Sequence, residues 1–267
     1  VPRIAEQALE QERGGNRRQD QQRAVQPQQE KEQRAREPLA CGVEELLEQV
    51  EALRFSSDDT AYLRSLKVFS GDFLDWLARY RFSGTIEAVA EGTPLFPNEP
   101  ILEVTGPIAE VQILETLVIN QIQLQSVLAS KAARVVAAAN GRRVVDFGSR
   151  RAHGVEAALA GARAFYIAGV DATSNLMAGA KYGIPVAGTM AHSFVQACRS
   201  EREAFQRFAE TFPETTLLVD TYDTLEGVRR VIDLARHLGS DFRIAAIRLD
   251  SGDLLALSRQ ARSMLDQ

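Results

Sequence analysis

The chain has 267 residues, of which 45% are hydrophobic and 25% charged, and a formal net charge of −5. That length allows one large domain or two small ones, and the apolar share is ordinary for a protein with a packed core. The mild negative charge argues against a dedicated nucleic-acid binder, and no apolar run reaches the roughly 18 residues of a membrane helix.

The N-terminus lacks the apolar stretch of a secretory signal. Cys41 and Cys198 are the two cysteines, without a CxxC or His-rich neighbourhood. They point to a reducing cytoplasm and away from a thiolate zinc site.

Residues 1–39 differ from the rest: they are rich in Gln, Arg and Glu and have no aromatic residue. Such a stretch cannot bury enough apolar surface to offset its ordering entropy, so it is expected to be a disordered or atypical tail. Order is expected from about residue 40, where Leu46, Leu47, Val50 and Leu53 recur at helical spacing within 44–55. Ser57-Asp58-Asp59 reads as a cap before a helix over 61–66, and a further helix fits 70–80.

From Gly84 the period changes to two. Residues 85–92 and 101–105 alternate, with Gly, Pro and Asn between them, as in a small antiparallel module. Residues 110–139 read as one or two long helices with an apolar stripe of Leu114, Leu117, Val118 and Ile122. The expected division is an α+β region over 40–139 and a catalytic α/β region over 140–267.

In that second region strands fit 143–147, 168–172, 184–188, 216–220 and 243–249. Helices fit 153–166, 175–181, 193–211, 224–238 and 253–265. Such alternation means parallel strands joined by helical crossovers. The β/α units are too few for a closed eight-stranded barrel, and the pattern ends within a helix, so the expected fold is a C-terminally truncated, irregular α/β barrel.

The loops after these strands carry the polar chemistry. They read Asp146-Phe147-Gly148-Ser149-Arg150-Arg151, Thr173-Ser174-Asn175, Gly188-Thr189-Met190-Ala191-His192, Asp220-Thr221-Tyr222-Asp223 and Arg248-Leu249-Asp250-Ser251-Gly252-Asp253. Strand C-termini are where such folds place their sites. Arginines, carboxylates, hydroxyls and one histidine suit a phosphate-bearing substrate with a sugar diol.

His192 reads as a nucleophile or general base, with packing as the alternative. Asp220 could orient its ring. Arg248 and Asp250, two apart in an extended run, would point the same way, toward phosphate and ribose, or else pair locally. Phe147 could stack on a flat heterocycle, and Arg150 with Arg151 at a helix start would make an anion site. Asp223 and Asp253 read as helix caps, and His153 as structural.

Four of these motifs, in this order, resemble the nicotinate phosphoribosyltransferase family: Asp146 to Gly154, Gly188 to Phe194, Leu218 to Thr224 and Arg248 to Leu254. The resemblance implies a type II phosphoribosyltransferase fold and the joining of nicotinate to phosphoribosyl pyrophosphate, giving nicotinate mononucleotide. It implies coupling to ATP hydrolysis through a phosphohistidine at His192, with Mg²⁺ on the phosphates and a homodimer as the assembly.

By the same resemblance Asp220 hydrogen-bonds the histidine, Asp250 completes the catalytic group, and Phe147 stacks on the pyridine. Arg150, Thr189, Arg248, Ser251 and Gly252 lie around the phosphates and ribose, and Ser174 helps read the pyridine carboxylate. A neutral Ser174 favours the acid over the amide, because a carboxylate there would repel nicotinate.

Two departures are noted: residues 1–39 lack the family's Asp-x-Tyr-x-x-Thr-Met segment, and its later strands and Gly-rich phosphate loop are not present. They make a truncated chain without activity of its own the expectation. A non-catalytic fragment of the family and a quinolinate-type phosphoribosyltransferase are the alternatives.

Overall fold

The computed structural model describes residues 37–267, and the tail expected over residues 1–39 falls almost wholly outside them. The chain forms two compact units that meet in sequence between Ala187 and Gly188. That boundary lies inside the β/α alternation.

The first unit begins with helix α1 (Val43–Ala52), α2 (Ser57–Ser65) and α3 (Gly71–Leu77). The cap of α2 is Ser56, one residue before the expected cluster. Its hydroxyl accepts from the Asp59 amide at 3.1 Å, while the Asp59 carboxylate accepts from the Ser56 amide at 2.7 Å. This reciprocal pairing satisfies two amides that a helix start leaves without partners.

Strands β1 (Thr85–Ala88) and β2 (Leu102–Thr105) pair antiparallel, with Thr85 opposite Thr105, as the period-two pattern predicts. A single helix, α4 (Ile108–Ala139), follows. Val43, Leu46 and Val50 of α1 pack on Leu114 and Ile122 of α4, with Ile86, Leu102 and Val104 of the hairpin beside them. The approach is close at Gly42, where φ is 95° and an added Cβ would lie 2.7 Å from the Gln121 carbonyl oxygen. Only glycine meets both conditions.

The rest of the first unit is β3 (Val145–Asp146), a 3-10 turn over Ser149–Arg151, α5 (Val155–Ile167), β4 (Ala172–Thr173) and α6 (Leu176–Tyr182). β3 and β4 pair parallel, and Thr173 makes a parallel bridge to Val186. These ladders are shorter than the apolar runs suggested, and side chains add hydrogen bonds at their ends. The Val144 amide donates to the Asp171 carboxylate at 2.7 Å, and the Thr173 hydroxyl donates to Asp146 at 2.8 Å.

In the second unit the expected helix over 193–211 is two helices, α7 (His192–Ala197) and α8 (Glu201–Thr211). Ser200 caps α8 by accepting from the Glu203 amide at 3.2 Å, and Glu203 accepts from the Arg199 amide at 3.1 Å. β5 (Thr216–Leu218), α9 (Thr224–Leu238), β6 (Ala246–Arg248) and α10 (Leu254–Leu265) complete the unit.

β5 and β6 pair parallel, with Leu218 opposite Arg248. Leu217, Leu218 and Val219 are buried against Val228, Val231 and Leu234, the apolar face of α9. An added Cβ on Gly227 would lie 2.1 Å from the Val219 carbonyl oxygen, so this glycine sets how closely α9 sits on the strand. Among the described residues the strands form three two-stranded sheets and close no barrel.

Candidate active site

Each unit carries one cluster of the expected site residues. In the first, Phe147 follows β3 and borders a cavity of about 610 Å³ between α4 and α5. Leu124, Leu128, Phe165 and Val170 make it apolar, and Lys131, Arg151 and His153 supply positive or titratable groups. Phe147 keeps 41% of its surface exposed, enough for a ring to lie against it.

Arg150 and Ser174 do not line this cavity. Arg150 is exposed on the 3-10 turn, and Ser174 is half-buried with its amide donating to the Asp146 carbonyl at 2.8 Å. The arginines do not sit at a helix start as expected: Gly154, with φ 113°, separates their turn from α5. The paired-arginine anion site at a helix N-terminus is therefore corrected to two arginines on a loop.

In the second unit His192 is the first residue of α7, where the chain turns from the apolar run ending at Gly188. Its side chain is 39% exposed. Nδ1 lies 3.1 Å from the Thr221 hydroxyl, and Nε2 lies 3.4 Å from the Asp250 carboxylate. Asp220, expected to bond the histidine, instead accepts from the Asp250 amide at 2.9 Å and the Ser251 hydroxyl at 2.6 Å.

The residue following Val219 in an extended run points opposite to the one after it. His192 lies on the side of Thr221, not of Asp220. Asp220 organises the Asp250-Ser251 loop, and its Oδ1 is buried without a hydrogen-bond partner among the described residues.

Arg248 and Asp250 do share a side, and they pair with each other. The guanidinium donates to Asp250 and, at 2.7 Å, to the Thr189 hydroxyl. This contact holds the Asp250 carboxyl below the usual carboxylate range, with burial opposing and His192 adding to the shift. Gly252 takes φ 80° as the loop turns toward α10. Asp223 and Asp253 cap α9 and α10, as expected, accepting from the Glu226 and Ala256 amides at 2.8 and 3.0 Å. Tyr222 is 63% exposed. The residue that pattern reading passed over is Thr221.

The sequence matches the profile described as nicotinate phosphoribosyltransferase (NAPRTase) N-terminal domain over residues 18–123, and that of the nicotinate phosphoribosyltransferase (NAPRTase) family over 142–265. The chain belongs to the nicotinate phosphoribosyltransferase family.

The first match begins inside the stretch read above as an atypical tail. Nicotinate phosphoribosyltransferase pncB2 of Mycobacterium tuberculosis is 59% identical over 228 residues, which cover 85% of this chain and 49% of that protein. The Bacillus subtilis nicotinate phosphoribosyltransferase is 43% identical over 228 residues, covering 85% of this chain and 46% of its own length.

The crystal structure of human nicotinic acid phosphoribosyltransferase superposes with a TM-score of 0.79 at 29% identity, over 86% of this chain and 56% of that one. The α/β fold expected from the motifs is thus the fold of this family. The chain spans about half the length of the curated relatives it matches.

Proposed function

We propose that the protein carrying these residues is a nicotinate phosphoribosyltransferase coupled to ATP by a phosphohistidine at His192. The observation that carries this reading is the contact set around His192: a half-exposed imidazole addressed at both ring nitrogens, with Arg248, Thr189 and Asp250 tied together beside it. The names of the relatives support the same substrate.

In this reading the pyridine nitrogen of nicotinate attacks C1 of phosphoribosyl pyrophosphate. The bond from C1 to the pyrophosphate oxygen breaks, and pyrophosphate leaves with the electron pair. Phe147 stacks on the pyridine ring and Ser174 faces its carboxylate. Arg150 and Arg248 bind phosphate oxygens, while Asp250, Ser251, Gly252 and Thr189 hold the sugar-phosphate.

Phosphorylation of His192 by ATP alters how tightly pyrophosphate is held and so couples ATP energy to a step that is otherwise near balance. Among the described residues no group of three or more His, Cys, Asp or Glu is placed to hold a metal. Mg²⁺ needs only one or two carboxylates beside substrate phosphates, and it would arrive on the phosphates it accompanies. A cytoplasmic homodimer completes the reading; no described helix is long and apolar enough to cross a membrane.

Nicotinate-stimulated ATP hydrolysis tests it. The protein should hydrolyse ATP faster with nicotinate and phosphoribosyl pyrophosphate present, and His192→Ala should abolish the stimulation. Stimulation by quinolinate in place of nicotinate, or full stimulation in His192→Ala, contradicts it.

A further inference from the structure

Thr221 approaches the imidazole of His192 from the loop after β5, while Asp250 approaches from the loop after β6, and the two address different ring nitrogens. A neutral imidazole has one N–H and one lone pair, and its neighbours decide which nitrogen has which. The Asp250 carboxylate can only accept, and its pairing with Arg248 keeps it ionised. A lone pair on Nε2 would face that negative charge at 3.4 Å, whereas an N–H there is attracted to it. The Thr221 hydroxyl is able to donate, and an Nδ1 lone pair 3.1 Å away is its natural acceptor.

We infer that Thr221 is a positioning residue for His192: with Asp250 it fixes the Nε2–H tautomer and presents Nδ1 as the nucleophilic nitrogen. This inference rests on the phosphohistidine reading for its consequence, though not for its geometry. The Nδ1 lone pair forms a bond to the γ-phosphorus of ATP. The bond from that phosphorus to the β,γ-bridging oxygen breaks, and ADP leaves with the electron pair. The Nε2 proton stays between the ring and Asp250, which balances the positive charge that phosphorylation places on the ring. The Thr221 hydroxyl, displaced from Nδ1, turns its hydrogen to an oxygen of the transferred phosphoryl group.

The tautomer is read directly by nitrogen-15 NMR of the histidine-labelled chain, with pH raised until the ring shifts stop changing. The chain has three histidines, and His192→Gln identifies the signals by their loss. The expected spectrum shows an unprotonated Nδ1 and a protonated Nε2 for His192. Thr221→Val, which keeps the side-chain shape and removes the hydroxyl, should show both tautomers in exchange, and Thr221→Ser should restore the single form. A protonated Nδ1 in the unsubstituted chain, or an unchanged spectrum in Thr221→Val, overturns the inference.

The rate of label transfer from γ-labelled ATP to protein gives a second reading. Thr221→Val should slow it by about tenfold or more at saturating ATP, with little change in the ATP concentration for half-maximal rate, since orientation and not ATP binding is lost. Thr221→Ser should recover most of the rate. Equal rates in the valine and serine variants count against Thr221. If the unsubstituted chain takes no label, the phosphohistidine reading fails, and the tautomer spectrum decides for or against Thr221 by itself.

Discussion

Asp250 keeps its charge at lower pH than an isolated carboxylate because the Arg248 guanidinium donates to it, with His192 at its other oxygen. Its stabilising pairing is present above the unfolded carboxylate value of about 3.9 and is lost as pH falls through the lower folded value. Arg248→Gln removes the guanidinium, so the Asp250 titration should move up toward about 3.9, read by carboxyl carbon-13 NMR. A titration that stays in place would show that Arg248 does not hold Asp250.

In the first unit, Phe147→Ala should weaken nicotinate binding by about 1–3 kcal/mol, the scale of a lost base–aromatic stack, as measured by calorimetry. Unchanged affinity would place the ring elsewhere. His192, Arg248 and Asp250 were legible in the sequence because charged or titratable side chains stand out at the ends of apolar runs. Thr221 was not, because a hydroxyl beside an aspartate is ordinary loop composition and only the facing of the backbone distinguishes the two. Reading the carboxylate as the histidine's partner assigned the right neighbourhood to the wrong residue.

Between elements, the first unit is tied by an ionic network centred on the buried Arg163. Arg163 of α5 donates to Glu91 in the turn after β1 and to Glu44 of α1. Glu91 also accepts from the amides of Gly42 and Val43 at 2.6 and 2.8 Å, which caps α1 from a distant part of the chain. Burial alone would raise the Glu91 carboxyl, but Arg163 and those amides more than offset it and hold it below the usual carboxylate range.

Its contribution is therefore complete above the unfolded value of about 4.3 and is lost as pH falls through the folded one. Arg163→Met leaves Glu91 without its counter-charge and should cost about 3–5 kcal/mol in urea unfolding at neutral pH, with a smaller difference from the unsubstituted protein in acid. A loss within about 0.5 kcal/mol would show that the network is not a structural tie.

Helices were legible from period and caps, including those at Asp223 and Asp253. The break between α7 and α8 had its own signal, Ser200 followed three residues later by Glu203, hidden inside a run that otherwise favours helix. Strand lengths were harder to read, because an apolar run does not reveal where regular pairing of the backbone stops.

For the whole molecule, the alternation of strands and helices and the order of four loop motifs identify the family, while the division at Ala187 and Gly188 depends on contacts that no local pattern encodes. The central claim, that His192 carries a phosphoryl group during the reaction, is tested by incubating the protein with γ-labelled ATP and mapping the label by peptide mass spectrometry under alkaline conditions. The account predicts an acid-labile, base-stable phosphoryl group on the peptide containing His192, absent from His192→Ala and discharged by phosphoribosyl pyrophosphate with nicotinate. Label on another residue, or equal label in His192→Ala, would contradict it.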